Sequence, residues 1–269
     1  MTTVTDQSSS GTSLGQMAQA GSGAAAQIGE ISRAHYRLRL ALDNRDVRAA
    51  QLLRFVVFNL ELNEGLEQSY ATCLDADAYD PVCDHLLVED TRTGDVIGTY
   101  RLQTGRKALE NIGYYSAQEF DFKPLEPLRG EMVELGRACV HSDHRNMTVL
   151  SLLWKGITTY STSRGCRYLV GCSSLTSQDA AVGMAAYRKL QPYLVREELR
   201  TVPLPQFACP ANVPEVPAPK IPKLLAAYLM FGSKICGPPA LDREFKTIDF
   251  LTFQDLLTMP AKVMARYLG

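Results

Sequence analysis

"EMVELGRACVHSDHRNMTVLSLLWKGI", residues 131–157, decides how the rest of the chain is read. An apolar run over 132–141 carries Glu134 and Arg137, then gives way to the polar, basic "HSDHRNMT" at 141–148. Beyond it Val149, Leu152, Leu153, Gly156, Ile157 and Tyr160 recur at i, i+3, i+4, i+7, i+8 and i+11, one face of a helix. Gly165 suits the position just past that helix. The stretch predicts a strand, a turn and a helix in direct succession. Either the turn seats an anion beside a reacting group, or it only connects two elements.

Working outward, "HYRLRLAL" alternates Tyr36, Leu38, Leu40 and Leu42 with Arg37 and Arg39, the period of a half-buried strand. A helix follows over 45–60. "HLLVED" (85–90) and "DVIGTYRLQT" (95–104) read as a hairpin. Residues 105–131 read as an insertion with a short helix near 116–121. "CRYLVGCSSL" predicts a strand and "SQDAAVGMAAYRKL" a helix capped by Ser177. Seven prolines in 203–222 predict an extended loop. A short helix (222–231), the strand "TIDFLTF" and a helix near 254–267 complete the chain. Residues 1–30, nearly free of large apolar side chains, predict a disordered tail. The remainder, 31–269, predicts one α/β domain: a mixed central sheet with helices on both faces.

The formal net charge of −1 gives no field for nucleic acid, so any anionic partner must meet a local patch. The seven cysteines lack CxxC pairs or histidines at zinc spacing and predict reduced thiols in a cytoplasmic protein. "LLAAYLMF" (224–231), the longest apolar run, is too short to span a bilayer. Soluble protein, or protein peripheral to a membrane, is expected, with no metal site.

Four groups of residues could carry chemistry. Arg101, between Thr99 and Gln103 on one face of its strand, suits the floor of a polar pocket or an ordinary solvated face. Glu134 and Arg137 point to opposite faces of a regular strand. A bulge at Gly136 would aim both at one cleft, the alternative being a structural ion pair. His141, His144, Arg145 and Asn146 precede a helix N-terminus, a seat for one anion. Asp75, Asp77, Asp80 and Asp84 gather negative charge before a strand, for a cationic amine or for solvent. Cys83 and Cys139 are either acyl carriers or packing residues.

Assembled, "YDPVCDHLLVED", "IGTYRLQT", "ELGRACVHSDHRNMTVLSLLWKGI" and "ICGPPALDREFKTIDFLTF" resemble the bacterial N-acyltransferases that make N-acyl amino acids. These are best known as the ornithine-lipid acyltransferases, within the GNAT superfamily. A more distant similarity is to the acyl-homoserine-lactone synthases, through Asp80 and Asp84, Arg101, Glu134 and Arg137. The resemblance implies a GNAT-like domain that moves a long-chain, often 3-hydroxylated, acyl group from acyl-carrier protein to the α-amine of an amino acid, ornithine foremost. It further implies no bound cofactor, with the acyl-ACP thioester as co-substrate.

Glu134 would then take the amine's proton, with Arg101, Arg137, Asp80 and Asp84 binding the acceptor. Strand amides at Ala138, Cys139 and Val140 would steady the thioester oxygen, and His141, Arg145 and Asn146 would meet the donor. The turn "RNMTVL" lacks the glycines that wrap a coenzyme A diphosphate, so a carrier-borne phosphopantetheine arm is expected ahead of acyl-CoA. Arg106 with Lys107, Arg164 with Arg167, and Arg188 with Lys189 are candidate carrier contacts. Segments 112–122 and 224–231 are candidate walls for an acyl tunnel. The competing readings are an acetyl-CoA-dependent small-molecule N-acetyltransferase and a non-catalytic module that binds acyl chains or carrier protein.

Overall fold

The structure, a computed structural model, describes residues 28–267. The opening stretch folds as its pattern predicts, into strand β5 (Met132–Val140), a single turn, and helix α3 (Met147–Ser163). All six periodic residues of α3 are buried, and Gly165 takes the left-handed conformation (φ 69°) just beyond it. The strands β1 (Ile31–Arg33), β2 (Tyr36–Leu40), β3 (Asp84–Asp90) and β4 (Val96–Thr104) precede β5. After it come β6 (Tyr168–Leu175), β7 (Lys234–Ile235), β8 (Ala240–Asp242) and β9 (Thr247–Asp255). They form one sheet, ordered β1-β2-β3-β4-β5-β6-β9-β7, with β8 also pairing β9. Only β5 and β6 run parallel among these described strands.

Strand alternation sends Leu86, Val88, Tyr100 and Leu102 to one face, where α3 buries them with Trp154 and Ile157. Helix α1 (Asn44–Phe55) lies on the other face, with Leu53 and Val57 packed on Cys139. Further along that second face, Phe120, Phe122 and Leu125 of the insertion cover Met132, Val170 and Phe253. The mixed sheet with both faces covered matches the expected fold class.

Two irregularities of β5 shape everything that follows. Between the pairs Thr99↔Cys139 and Arg101↔Gly136, β5 spends one residue more than β4, a bulge. Its strain falls on Arg137 itself (φ 50°) rather than on Gly136. Second, β5 and β6 pair only from Met132↔Tyr168 to Glu134↔Val170 and then part. At the fork a Cβ on Gly171 would lie 2.2 Å from the Leu135 carbonyl oxygen, so only glycine lets the strands meet there.

Several boundaries differ from those the sequence predicts. The proposed disordered tail lies, up to residue 27, outside the described residues. Helix 45–60 is α1 prolonged by a π-helical stretch, Val56–Glu61. The insertion holds α2 (Gly105–Glu110) and, in place of a helix near 116–121, one 3₁₀ turn at Ser116–Gln118. Helix α4 (Ala180–Leu190) is capped by Asp179, whose carboxylate accepts from the Ala181 N–H; Ser177 instead accepts from the Asp179 N–H. The proline-rich 203–222 carries isolated bridges but no helix or strand, and α5 (Lys223–Met230) follows it. Strand β9 continues to Asp255, so the last helix, α6 (Ala261–Tyr267), starts later than residue 254.

Candidate active site

Where β5 and β6 part, a cavity of about 840 Å³ opens and passes through the sheet. One half lies on the α3 face, walled by Leu153, Trp154, Leu169, Leu225 and Tyr228. The other half lies on the α1 face and is polar: Arg101, Gln103, Tyr115, Glu134 and Arg137 line it. The π-helical stretch adds Val57 and Phe58. Of the two candidate tunnel walls, α5 contributes Leu224, Leu225, Ala227 and Tyr228, whereas the insertion contributes Tyr115 and Ser116. Tyr114, Phe120 and Phe122 are core residues instead.

Glu134 lines the cavity at the last β5–β6 pair before the fork, 5 % exposed. Its two oxygens accept from the backbone N–H groups of Tyr115 (2.8 Å) and Ser116 (2.7 Å). Burial raises its pKa above the usual carboxylate range against those two donors, which favour the ionised form. The bulge turns Arg137 to the same face as Glu134 and Arg101, as a bulge near Gly136 predicts. The Arg137 guanidinium lies between the rings of Tyr115 (4.7 Å) and Phe245 (4.1 Å). It donates to Asp77 (2.9 Å) and its Nε lies 3.3 Å from Asp75. Arg101 donates through Nη1 to Asp77 (2.6 Å) and Asp80 (3.0 Å), beneath the rings of Tyr79 and Tyr115.

The acids before β3 have other duties than the expected one. Asp80 is buried and saturated by Arg54 (2.8 and 2.9 Å), Arg101 and Gln51 (2.8 Å). Burial alone would raise its pKa, but the guanidinium groups of Arg54 and Arg101 hold it well below the usual range. Its work is to fix Arg101, not to receive an amine. Asp84, at the start of β3, shares the parity of Leu102 and so faces α3, accepting from Tyr160 (2.6 Å) and Lys107 (2.6 Å). Asp84 does not line the cavity, and strand alternation turns it away from the polar half that holds Glu134 and Arg137.

Ala138, Cys139 and Val140 line the unpaired edge of β5. The His141 N–H donates to Ile97 on the β4 side (2.8 Å), so alternation turns the Val140 N–H towards the open edge. Burial pushes the thiols of Cys83 and Cys139 up to about 12, which makes them poor acyl carriers. All seven cysteines are free thiols.

The turn before α3 is less open to an anion than its sequence suggests. The Asn146 side chain caps α3, accepting from Thr148 and Val149 (3.0 and 3.1 Å), which occupies two of the free helix N–H groups. Arg145 lines the cavity but is paired with Glu61 (2.5 and 2.7 Å). His141 is outside the cavity lining, and His144 contacts the Tyr36 hydroxyl (3.1 Å). Of the candidate carrier contacts, Arg106, Lys107 and Arg167 are paired with Glu110, Asp84 and Asp255, and none of the six lines the cavity.

The sequence reading missed Arg54, fully buried, and the acids Glu64, Asp242 and Asp249 of the cavity wall. The available signals were a lone Arg in "LLRFVVF" and a lone Asp in "TIDFLTF".

A sheet forked between its parallel strands, with a cavity at the fork, fits the GNAT type of acyltransferase, and the comparisons with known proteins assign it there. An acetyltransferase (GNAT) domain profile matches residues 53–155. The L-ornithine N(alpha)-acyltransferase of Agrobacterium fabrum is 32% identical over 247 residues, 86% of this chain and 84% of that one. The enzyme of the same name from Rhodobacter capsulatus is 30% identical over 239 residues, 84% of this chain and 92% of that one. The fold is shared by FeeM, an N-acyl amino acid synthase from uncultured soil microbes (TM-score 0.53, 10% identity, 87% of this chain and 100% of that one). It is shared too by the AHL synthase LasI (TM-score 0.52, 14% identity, 88% and 96%). The chain belongs to the family of the L-ornithine N(alpha)-acyltransferases. Among the described residues no helix is long and apolar enough to cross a membrane.

Proposed function

We propose that this acyltransferase moves a long-chain, optionally 3-hydroxylated, acyl group from acyl-carrier protein to the α-amine of ornithine. The acceptor follows from the name its relatives carry. The observation that carries the reaction is the passage through the sheet, greasy on one face, polar on the other, with Glu134 lining it beside the fork. A fatty chain lies against Leu153, Trp154 and Leu225, where each buried methylene contributes about 0.8 kcal/mol. A cavity of about 840 Å³ is far more than an acetyl group needs, which favours the long-chain reading over an acetyl-CoA enzyme.

On the polar face the guanidinium of Arg137, fixed by two rings and two acids, meets the acceptor carboxylate with Arg101 behind it. The α-ammonium gives one proton to Glu134 and the freed lone pair attacks the thioester carbon. The new oxyanion is met by the open-edge N–H of Val140. Collapse breaks the C–S bond, the amine's second proton leaves with the thiolate as free thiol, and the amide remains. Arg145 can exchange its half-exposed partner Glu61 for the single phosphate of a phosphopantetheine arm. Leu224 is both a wall of the cavity and exposed, a rim suited to handing an amphiphilic product to a lipid surface.

Purified protein given ornithine with acyl-ACP or acyl-CoA in parallel tests this, with N-acylornithine read by mass spectrometry. Product from acyl-ACP is expected. Product from acyl-CoA alone overturns the donor, and turnover of acetyl-CoA in preference to both overturns the long-chain reading.

A further inference from the structure

Four buried carboxyls gather on the α1 face of the sheet, beyond the arginine pair: Glu64, Glu119, Asp242 and Asp249, each under 9% exposed. Glu64, Asp242 and Asp249 line the polar half of the cavity. None of the four forms an ion pair among the described residues, in contrast to Asp75, Asp77 and Asp80, which are all matched by arginines. Buried acids without cations are costly and persist where something pairs with them.

One atom marks the place. Asp249 Oδ1 is buried and meets only its neighbours' polar groups, the hydroxyls of Thr247 and Ser174 and the Glu119 carboxyl, with no cation and no well-aligned hydrogen bond. Asp249 and Thr247 line the cavity. Asp242 is oriented by the N–H groups of Glu244 (2.8 Å) and Phe245 (3.0 Å), and Glu64 accepts from the Thr176 hydroxyl. Phe245 links the two ends of the polar half. Its ring covers Arg137 at 4.1 Å while its N–H holds Asp242.

We infer that Asp249, with Asp242 and Glu64, forms the subsite for the side-chain ammonium of the acceptor. An amino acid whose carboxylate lies on Arg137 and whose α-amine meets Glu134 then extends its side chain along Phe245 into the acids. The class of acceptor this selects is a short diamino acid; an uncharged side chain of equal length leaves the acids unpaired. Burial, then the neighbouring acids, holds Glu119 and Asp249 above the usual carboxylate range, Glu119 much the further. Of the two, Asp249 lines the cavity and is the one an incoming cation can reach.

The inference rests on the amino-acid acceptor proposed above, and its test separates the two. Ornithine is compared with norvaline, the same chain without the δ-amine, using acyl-ACP as donor. Wild type is expected to prefer ornithine strongly in kcat/KM. Asp249→Asn is expected to reduce the ornithine-to-norvaline ratio about 100-fold, the loss typical of one partner in a buried charge pair. A merely structural Asp249 would lower both acceptors together and leave the ratio unchanged, which overturns the subsite. A wild-type ratio near one also overturns it while leaving amino-acid acylation standing. A wild type that acylates no amino acid removes the acceptor assignment and the subsite together. Should Asp249→Asn fail to fold, Glu64→Gln decides: the ratio falls about tenfold, or the subsite is wrong. Glu119, Cys172 and Asp249 also place three potential ligand atoms within 4.8 Å of one another. Activity that chelator abolishes and a divalent ion restores would assign these acids to a metal and overturn the inference.

Discussion

Glu134 combines two properties that pull against each other. Its carboxylate is pinned by the N–H groups of Tyr115 and Ser116, which favours charge, and it is buried, which favours the proton. Burial wins, so the proposed base is held above the ordinary carboxylate range. A base must be deprotonated to act, so kcat/KM should fall as pH drops through that raised value. Glu134→Gln keeps the size but not the charge. It is expected to lower kcat about 100-fold or more, the usual worth of a general base, and to flatten the acidic limb of the pH profile. A variant within threefold of wild type would remove Glu134 as the base. Arg137 shows the same economy: a residue forced into the left-handed region by the bulge is held there by two rings and two acids.

At the scale of elements, the fork between β5 and β6 is the feature most exposed to a single atom. Gly171 passes so close to Leu135 that a methyl group must push one strand aside. Gly171→Ala is expected to cost about 1–3 kcal/mol, in the range of overpacked cores, measured as a lowered midpoint in urea. It should also impair donor and acceptor kinetics together, because both halves of the cavity meet at that point. Unchanged stability would mean that the fork has slack. Elements were legible in the sequence where length and period were both present, as in α3 and the β3–β4 hairpin. The short α2, β1, β7 and β8 were not, since two to six residues carry no period. The site was half legible. A strand with Glu and Arg three apart announces Glu134 and Arg137, and an Arg between Thr and Gln announces Arg101. Asp80 and Asp84 could not be sorted by type alone, since only the onset of β3 decides that the first pairs with arginines and the second faces α3. The acids of the cavity wall come from β8, β9 and the loop after α1, too far apart in sequence to be read as one group.

The molecule as a whole balances two sets of buried carboxyls with opposite responses to pH. Asp77 and Asp80, held low by Arg54, Arg101 and Arg137 despite burial, contribute stability that is present above the unfolded carboxyl pKa of about 4 and is lost as pH falls through their depressed values. Glu119 and Asp249 are raised, so the folded state binds protons that the unfolded state has released. Their contribution is complete below about pH 4 and drains away as pH rises through their elevated titration. Thermal melts across pH should therefore show a ligand-free optimum on the acid side of neutrality and a decline into the alkaline range. Glu119→Gln, which titrates nowhere, should flatten that decline. A decline identical to wild type would show that Glu119 is not the group responsible.

The passage is lined from both faces of the split sheet, so with the acyl chain on one and the acceptor on the other, as proposed, neither reactant needs to vacate the protein before the other arrives. With the Cys83 and Cys139 thiols too basic to hold an acyl group in transit, the proposed direct transfer calls for both reactants at the same moment. Double-reciprocal plots at several fixed concentrations of the second reactant should then intersect; parallel lines would reveal a covalent relay that the closed cysteines argue against.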